Sequence, residues 1–175
     1  LHPPGPERTP EVGRSKGDGL PKNASGAALM CYASGIDEAE AVRETIAVLK
    51  ISGMSPLNVS GYGSIKERID EGHDIEDHEY DLMEKAYINL IYRLSSKGKF
   101  DKLISNYKDI DSTDLQCLFI RAKIKQNFLK DIDKEIIPIW LSAKSQPKSC
   151  DYSFRWFYKN KKLTDELVWQ RIQMA

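Results

Sequence analysis

From about Ile75 to the end of the chain, apolar residues recur at the three- and four-residue spacing of helices, and short polar breaks interrupt the pattern. The first of these helices carries one apolar stripe, formed by Leu82, Ala86, Leu90 and Leu94. The helices come in pairs of roughly 30–35 residues, a period typical of α-solenoids. Because each hairpin of a solenoid buries its apolar face only against its neighbours, the pattern predicts a stack of helix hairpins.

Breaks in the pattern set the ends of the predicted helices. Lys97-Gly98-Lys99 ends the first helix, Asn127 ends the third, and Pro147 precedes the last pair. Pro138 lies inside one segment, so we expect a kink there or a helix that begins near Ile136. The predicted helices span residues 79–96, 100–107, 115–124, 129–143, 150–158 and 164–174.

The segment before these helices has a different pattern. Residues 27–33 and 57–62 each predict a short strand. Between them, Asp37 is predicted to cap a helix, with Glu40 at the reciprocal position of a capping box and Gly53 just past the helix end. The order strand–helix–strand predicts a small α/β segment, which buries too little surface to be stable by itself.

The amino terminus is rich in residues that break regular structure. Residues 1–26 hold most of the prolines, so an irregular lead-in is predicted there. The predicted fold class is therefore mostly α. An irregular segment over 1–26 and a small α/β segment of unknown role over 27–75 precede an α-superhelix over 76–175.

Charge and hydropathy exclude several classes of partner. Lys plus Arg and Asp plus Glu both number 26, so the formal net charge is zero. A balanced chain gives no electrostatic reason to expect nucleic acid or an anionic membrane. No apolar run approaches the roughly 20 residues that cross a bilayer, so no membrane span is predicted.

The chain begins at Leu1 without a secretory signal pattern, and we expect a piece of a longer protein or a processed product.

Reactive side chains form no recognisable site. Cys31, Cys117 and Cys150 lack zinc-binding spacing, and composition alone favours three buried thiols. His73 and His78 lie among acidic residues, but their five-residue spacing does not place them on one helix face. Surface charge is therefore favoured over a metal site. No catalytic, cofactor-binding or metal-binding residue is predicted, and no cofactor.

The stretch from Ile139 to Asp151 has a distinctive order, in which a helix ends in Trp-Leu and is followed by a small residue, Lys-Ser, a Pro and Cys-Asp. This order resembles a signature in the superhelical region of the soluble lytic murein transglycosylases. Less specific similarities at Leu115-Gln116-Cys117 and Tyr92-Arg93-Leu94 extend the resemblance over about residues 81–175. The signature residues are Trp140, Leu141, Lys144, Ser145, Pro147, Cys150 and Asp151.

This resemblance implies a scaffold rather than a catalyst. The family cleaves the bond between N-acetylmuramic acid and N-acetylglucosamine in peptidoglycan, and its superhelix is a ring-like scaffold for a separate catalytic domain. The family's catalytic Glu lies in a Glu-Ser motif, and this chain has no Glu-Ser dipeptide. The resemblance therefore implies that the catalytic domain is missing here and that the glycan strand is a partner only through the full-length enzyme. It also implies the periplasm and a Cys117–Cys150 disulfide.

The signature also has a purely physical interpretation as a corner between two helices. A Lys near the end of one helix complements its exposed carbonyls, and Pro147 forces a break. Ser149 or Asp151 is predicted to cap the next helix, and Trp140 and Trp156 are large enough to fill the gap between hairpins.

A second function, of a different class, is a stand-alone helical-repeat module that binds a protein or a peptide. Its α/β segment would then be an integral cap. Residues 1–80 resemble no family that we can name, and they do not distinguish the two functions.

Overall fold

The computed structural model of the protein describes residues 7–13, 19–63 and 65–174. The chain divides into two compact units, Leu1–Leu90 and Ile91–Ala175, which we call the amino-terminal and carboxy-terminal units. The division falls inside a long helix, whereas the sequence placed the change of architecture near residue 76.

The amino-terminal unit combines short strands with helices. Its strands are β1 (Glu7–Gly13), β2 (Gly26–Ala28), β3 (Cys31–Tyr32) and β4 (Ser55–Gly63). Its helices are α1 (Glu38–Ile51), α2 (Ile65–Asp70) and α3 (Asp77–Ser96), the last of which continues into the second unit. The strand predicted over 57–62 is confirmed as β4, and the strand predicted over 27–33 is divided into β2 and β3.

Strand β1 is the centre of the sheet, which has four strands within the described residues. It pairs antiparallel with β4 along its whole length, from Glu7 opposite Gly63 to Gly13 opposite Ser55. It also pairs antiparallel with β2 and with β3. Because β4 pairs with the same β1 residues as these two short strands, β2 and β3 share the opposite edge of β1.

The prediction of an irregular segment over 1–26 is wrong for Glu7–Gly13, which forms β1. The β2 partners of β1 begin at Glu11 and its β3 partners end at Arg8. Pro10 therefore falls in the gap between the two short strands, where its missing backbone N–H interrupts no pairing on that edge. The strand depends on partners that are distant in the sequence, so a local composition of prolines and charges does not reveal it.

The start of α1 confirms the predicted cap. The Asp37 carboxylate accepts a hydrogen bond from the backbone N–H of Glu40, at 2.7 Å. The Glu40 carboxylate is buried and accepts from the backbone N–H of Ile36, at 2.9 Å. Two backbone amides are thus satisfied, those of Glu40 and of Ile36, the residue that precedes the N-cap. Gly53 follows the helix with φ of 76°, a left-handed conformation that glycine adopts without strain.

Replacing this cap is expected to have a moderate effect. The substitution Asp37→Ala removes one acceptor and should lower the free energy of unfolding by about 1 kcal/mol. Urea denaturation followed by circular dichroism measures the change. The substitution Asp81→Ala, at an exposed position inside α3, is the matched control and should change stability by less than about 0.5 kcal/mol. Equal effects of the two substitutions would show that the cap contributes nothing.

The carboxy-terminal unit is built from successive short helices that follow the end of α3. They are α4 (Phe100–Asn106), α5 (Thr113–Lys125), α6 (Ile132–Trp140), a 3-10 turn (Lys148–Cys150), α7 (Asp151–Lys159) and α8 (Asp165–Met174). Helix α5 packs against α4, α6 and α7, and α6 packs against α7. The predicted fold class, mostly α with a solenoid of helix hairpins after a small α/β segment, is confirmed apart from the lead-in.

The core of this unit lies between α5, α6 and α7. Four fully buried side chains form its centre: Ile120, Ile132, Ile136 and Phe157. Partly buried apolar side chains surround them, among them Ile124, Ile137, Phe154, Trp156 and Leu167. These residues recur at helical spacing, which is why the sequence alone located this part of the fold.

Helix α6 is shorter than the predicted span of 129–143. Asp131, at its N-cap, has a left-handed φ of 56°, so the helix cannot begin earlier. Pro138 lies inside the helix, and the helix ends two residues later at Trp140. Ending there limits the cost of the missing backbone donor, because only the last turn is affected.

Candidate functional site

The two cysteines of the resembling region form a disulfide. Cys117 lies on α5 and Cys150 ends the 3-10 turn, with 4.8 Å between their Cα atoms. Both side chains have 0% exposure, so the bond is inaccessible to solvent in the folded state. This is the pair that the resemblance implied, and it joins α5 to the start of α7. Cys31 is a free thiol, and partial burial raises its pKa.

The signature segment forms the corner between α6 and α7. The Trp140 ring meets the Phe154 ring edge to face, with centroids 5.2 Å apart. The Arg171 guanidinium lies 4.2 Å from the Trp140 ring centroid, in a cation–π arrangement. Trp140 is therefore a filler between helices, as the physical interpretation predicted.

The predicted cap of α7 is wrong. Neither Ser149 nor Asp151 caps the helix, because Cys150 occupies the N-cap position and makes no side-chain cap bond. The Ser149 hydroxyl instead donates to the Asp114 carboxylate on α5. The 3-10 turn leads directly into α7 and replaces a side-chain cap.

Two adjoining cavities lie along α5 and α6, and we call them together the α5–α6 groove. The first has a volume of about 500 Å³, and the second has about 430 Å³. Gln116, Pro138 and Ile139 line both. The first is otherwise lined by Tyr107, Asp109, Phe119, Ile120, Lys134 and Glu135. The second is otherwise lined by Thr113, Ser142, Lys144, Ser145, Gln146 and Pro147.

The groove follows one face of each helix. Its α5 residues recur at helical spacing from Thr113 to Ile120, and its α6 residues do so from Lys134 to Ile139. The carboxyl half of α5 lies beside the start of α6, so the two helices run antiparallel. Lys144, Ser145 and Pro147 belong to the signature and line the groove, which gives them a position at a surface cavity rather than in the core.

The two ends of the groove differ in chemistry. At the first end, the Tyr107 and Phe119 rings stack with centroids 4.0 Å apart, and the Gln116 amide donates to the Asp109 carboxylate at 3.4 Å. Glu135 is paired with Lys123. In the second cavity, the polar lining groups are hydroxyls, amides and the Lys144 ammonium, with no carboxylate among them.

The amino-terminal unit holds a buried charged cluster. The Glu79 carboxylate, on α3, is only 7% exposed and lies 3.0 Å from the Arg68 guanidinium of α2. It also accepts hydrogen bonds from the Tyr32 hydroxyl and from the backbone N–H of Glu76. These contacts, the Tyr32 hydrogen bond foremost, lower the pKa of Glu79 to about 2.

The chemistry of this cluster is limited by that pKa. Tyr32, Arg68 and Glu79 line a surface cavity of about 430 Å³ together with Met30, Asp74, Glu76, His78 and Leu82. A carboxyl group with a pKa of about 2 is ionised at neutral pH, so Glu79 cannot donate a proton as a general acid. The cluster therefore fixes the start of α3 to β3 and α2.

The histidines that the sequence singled out lie closest to other carboxylates, although His78 lines the same cavity as Glu79. His73 is 3.7 Å from Glu71, and His78 is 3.1 Å from Glu76, all on the surface. In the described ranges, no three His, Cys, Asp or Glu side chains are grouped closely enough to hold a metal ion. Likewise, no helix in that part of the chain has the length and apolar content needed to cross a membrane.

Sequence reasoning missed the Glu79 cluster and the groove. Tyr32 and Glu79 are 47 positions apart, and the groove joins residues of separate helices. Glu79 follows Glu76, His78 and other charged residues, so the neighbouring sequence does not indicate that its side chain is buried.

Comparisons with known proteins give one family model and a similar solved structure. The family model "Domain of unknown function (DUF8846)" matches residues 9–90, close to the bounds of the amino-terminal unit. No curated protein matches the chain. Among solved structures, an inactive mutant of the lytic transglycosylase Slt from Pseudomonas aeruginosa is similar, with 19% sequence identity and a TM-score of 0.49. That match covers 79% of this chain, which spans about a quarter of the enzyme chain, 24%.

Proposed function

We propose that this chain is a non-catalytic superhelical part of a periplasmic peptidoglycan lytic transglycosylase. The observation that carries the proposal is the buried disulfide between Cys117 and Cys150, within the segment that resembles the family. A structural disulfide persists in an oxidising compartment such as the periplasm and is rare in the cytosol. The helix hairpins that surround it have the architecture expected of a scaffold.

The carboxylates of the two candidate sites, Glu79 and Glu135, fit a scaffold better than a catalyst. Glycosidic bond cleavage needs a carboxyl group whose pKa is raised, so that it is protonated near neutral pH. The pKa of Glu79, the buried carboxylate of the Arg68 cluster, is shifted in the opposite direction. Glu135, in the groove, is held in an ion pair with Lys123. Contact with the glycan strand would thus come through the catalytic domain of the full-length enzyme.

Assay on cell-wall sacculi tests the absence of catalysis. The purified chain should release no 1,6-anhydro-muropeptides, as measured by chromatography and mass spectrometry of the soluble fraction. A complete lytic transglycosylase serves as the positive control, and buffer alone as the negative one. Release above the buffer level by the purified chain contradicts the proposal.

A second experiment tests family membership directly. The coding DNA on both sides of this chain is sequenced from an intact transcript. A continuous downstream reading frame that reaches a Glu-Ser motif supports a scaffold part of a cell-wall enzyme. A stop codon directly after Ala175 removes that support.

The α5–α6 groove favours the second candidate, a helical-repeat module that binds a peptide. Thiol labelling after isolation under non-reducing conditions distinguishes the two compartments. In the periplasm, only Cys31 should react after denaturation. In the cytosol, Cys117 and Cys150 should react as well.

A further inference from the structure

We propose that the α5–α6 groove binds a short peptide with free termini, its carboxylate at Lys144 and its amino group near Asp109. This site does not depend on the scaffold role; it rests on the second candidate function, the peptide-binding module, and names its ligand. It is argued from the charge, the length and the apolar lining of the groove.

Charge is distributed unequally along the groove. Lys144 is exposed, and no described carboxylate pairs with its ammonium group. In the first cavity, Asp109 accepts one long hydrogen bond from Gln116, which lines both cavities, and forms no ion pair with a described residue. The remaining charges of the lining are matched, since Lys134 pairs with Asp131 at 2.7 Å and Glu135 pairs with Lys123. One negative group thus lines the first cavity and one positive group lines the second, and both can face a ligand that occupies the two cavities.

This arrangement selects a zwitterion over a neutral or singly charged ligand. A terminal carboxylate would accept charge-assisted hydrogen bonds from Lys144 and from the Ser145 hydroxyl. A terminal ammonium would be attracted by Asp109. A neutral oligosaccharide would leave both charges without a counterpart, although it could use the hydroxyl and amide groups.

The length of the groove indicates how many residues fit. Its α5 wall runs from Thr113 to Ile120, which corresponds to about 10 Å along a helix. An extended peptide advances about 3.3–3.6 Å per residue, so about three residues span this distance. The volumes of the two cavities, about 500 and about 430 Å³, lie within the range of sites for small ligands.

The apolar surfaces place a bulky side chain at the amino-terminal end of the ligand. The stacked rings of Tyr107 and Phe119 lie at the Asp109 end, and Pro138 and Ile139 line the groove between the two ends. An aromatic ring at the first residue of the ligand could pack against this surface. Small side chains suit the rest, which is lined by short hydroxyls and amides.

The test is a nuclear magnetic resonance titration of the full chain with phenylalanyl-alanyl-alanine. Backbone amide signals of Gln116, Phe119 and Ile139 are expected to shift and saturate. The same tripeptide with a carboxy-terminal amide should bind about tenfold more weakly, because it lacks the charge that Lys144 binds. The substitution Lys144→Ala should weaken binding of the free acid to the level of the amide and leave the amide's affinity unchanged.

Matched variants show whether a loss of affinity comes from the groove or from a change elsewhere in the protein. Lys159→Ala, at an exposed position on α7 outside the groove, should bind the free acid as the unaltered chain does. Gln116→Ala should weaken binding, since this side chain lines both cavities, whereas Gln170→Ala on α8 should not. Unchanged signals outside the groove show that each variant is folded.

Three results overturn the proposal. One is the absence of saturable shifts at the groove, and another is equal affinity for the acid and the amide. The third is tighter binding of tri-N-acetylchitotriose than of the tripeptide at the same amides, which would make the groove a glycan site.

Discussion

Reduction of the Cys117–Cys150 disulfide is expected to lower the free energy of unfolding of the carboxy-terminal unit by about 3–4 kcal/mol. The bond closes a loop with a sequence separation of 33 residues. On the chain-entropy description, the loop restricts the unfolded chain, and opening it restores that freedom. Denaturation in urea, with and without dithiothreitol, measures the difference. The midpoint of unfolding should shift to a lower urea concentration in the reduced protein, because the unfolded chain gains conformational entropy when the loop is opened.

Cysteine variants test whether the effect of dithiothreitol comes from the Cys117–Cys150 disulfide. Cys117→Ala with Cys150→Ala should give a protein whose stability no longer responds to dithiothreitol. Cys31→Ser should keep the full response, because this thiol lies in the amino-terminal unit and forms no disulfide. A wild-type midpoint that stays the same in reductant would refute the stabilising role of the bond. Both sulfurs are fully buried, so samples are reduced while unfolded and then refolded.

The parts of the fold that were predictable are those with a local physical cause. The apolar stripes of α3 and α5 recur at helical spacing, and Asp37 with Glu40 forms a cap from residues three positions apart. Strand β1 has no such signal, because its hydrogen bonds go to strands that lie far along the chain. The bounds of α6 were overestimated because Asp131 adopts a left-handed conformation that apolar spacing does not encode.

The candidate sites likewise depend on residues that are distant in the sequence, so local patterns do not predict them. The pairing of Cys117 with Cys150 was implied only by the family resemblance, since composition by itself favoured free thiols. The α5–α6 groove depends on how two helices lie side by side, and no short motif describes it. The sequence predicts Lys144 only as a residue of the signature corner, and the structure places it at a cavity.

Replacement of Glu79 by glutamine is expected to be the largest single-residue effect in the amino-terminal unit. The carboxylate is 7% exposed and the Arg68 guanidinium 25% exposed, so water screens the pair weakly. Glu79→Gln leaves the Arg68 charge without its counterpart and weakens the hydrogen bonds from Tyr32 and from the Glu76 backbone. We expect the free energy of unfolding at neutral pH to fall by about 2–3 kcal/mol. The exposed Glu84→Gln on the same helix is the control and should change little.

The pH dependence distinguishes loss of the charge from loss of packing. Folding lowers the pKa of Glu79 from 4.5 to about 2, chiefly through the Tyr32 hydrogen bond, so between these values the unfolded chain binds more protons than the folded chain. The stabilisation from this carboxylate is therefore complete above about pH 4.5 and is lost as the pH falls toward 2. Urea denaturation of wild type and Glu79→Gln across this range should show a difference that is largest near neutral pH and shrinks in acid. Because neutral glutamine and the protonated carboxyl group have similar shapes, the difference should nearly disappear in acid. A difference that stays constant with pH would show that the lost charge is not its cause.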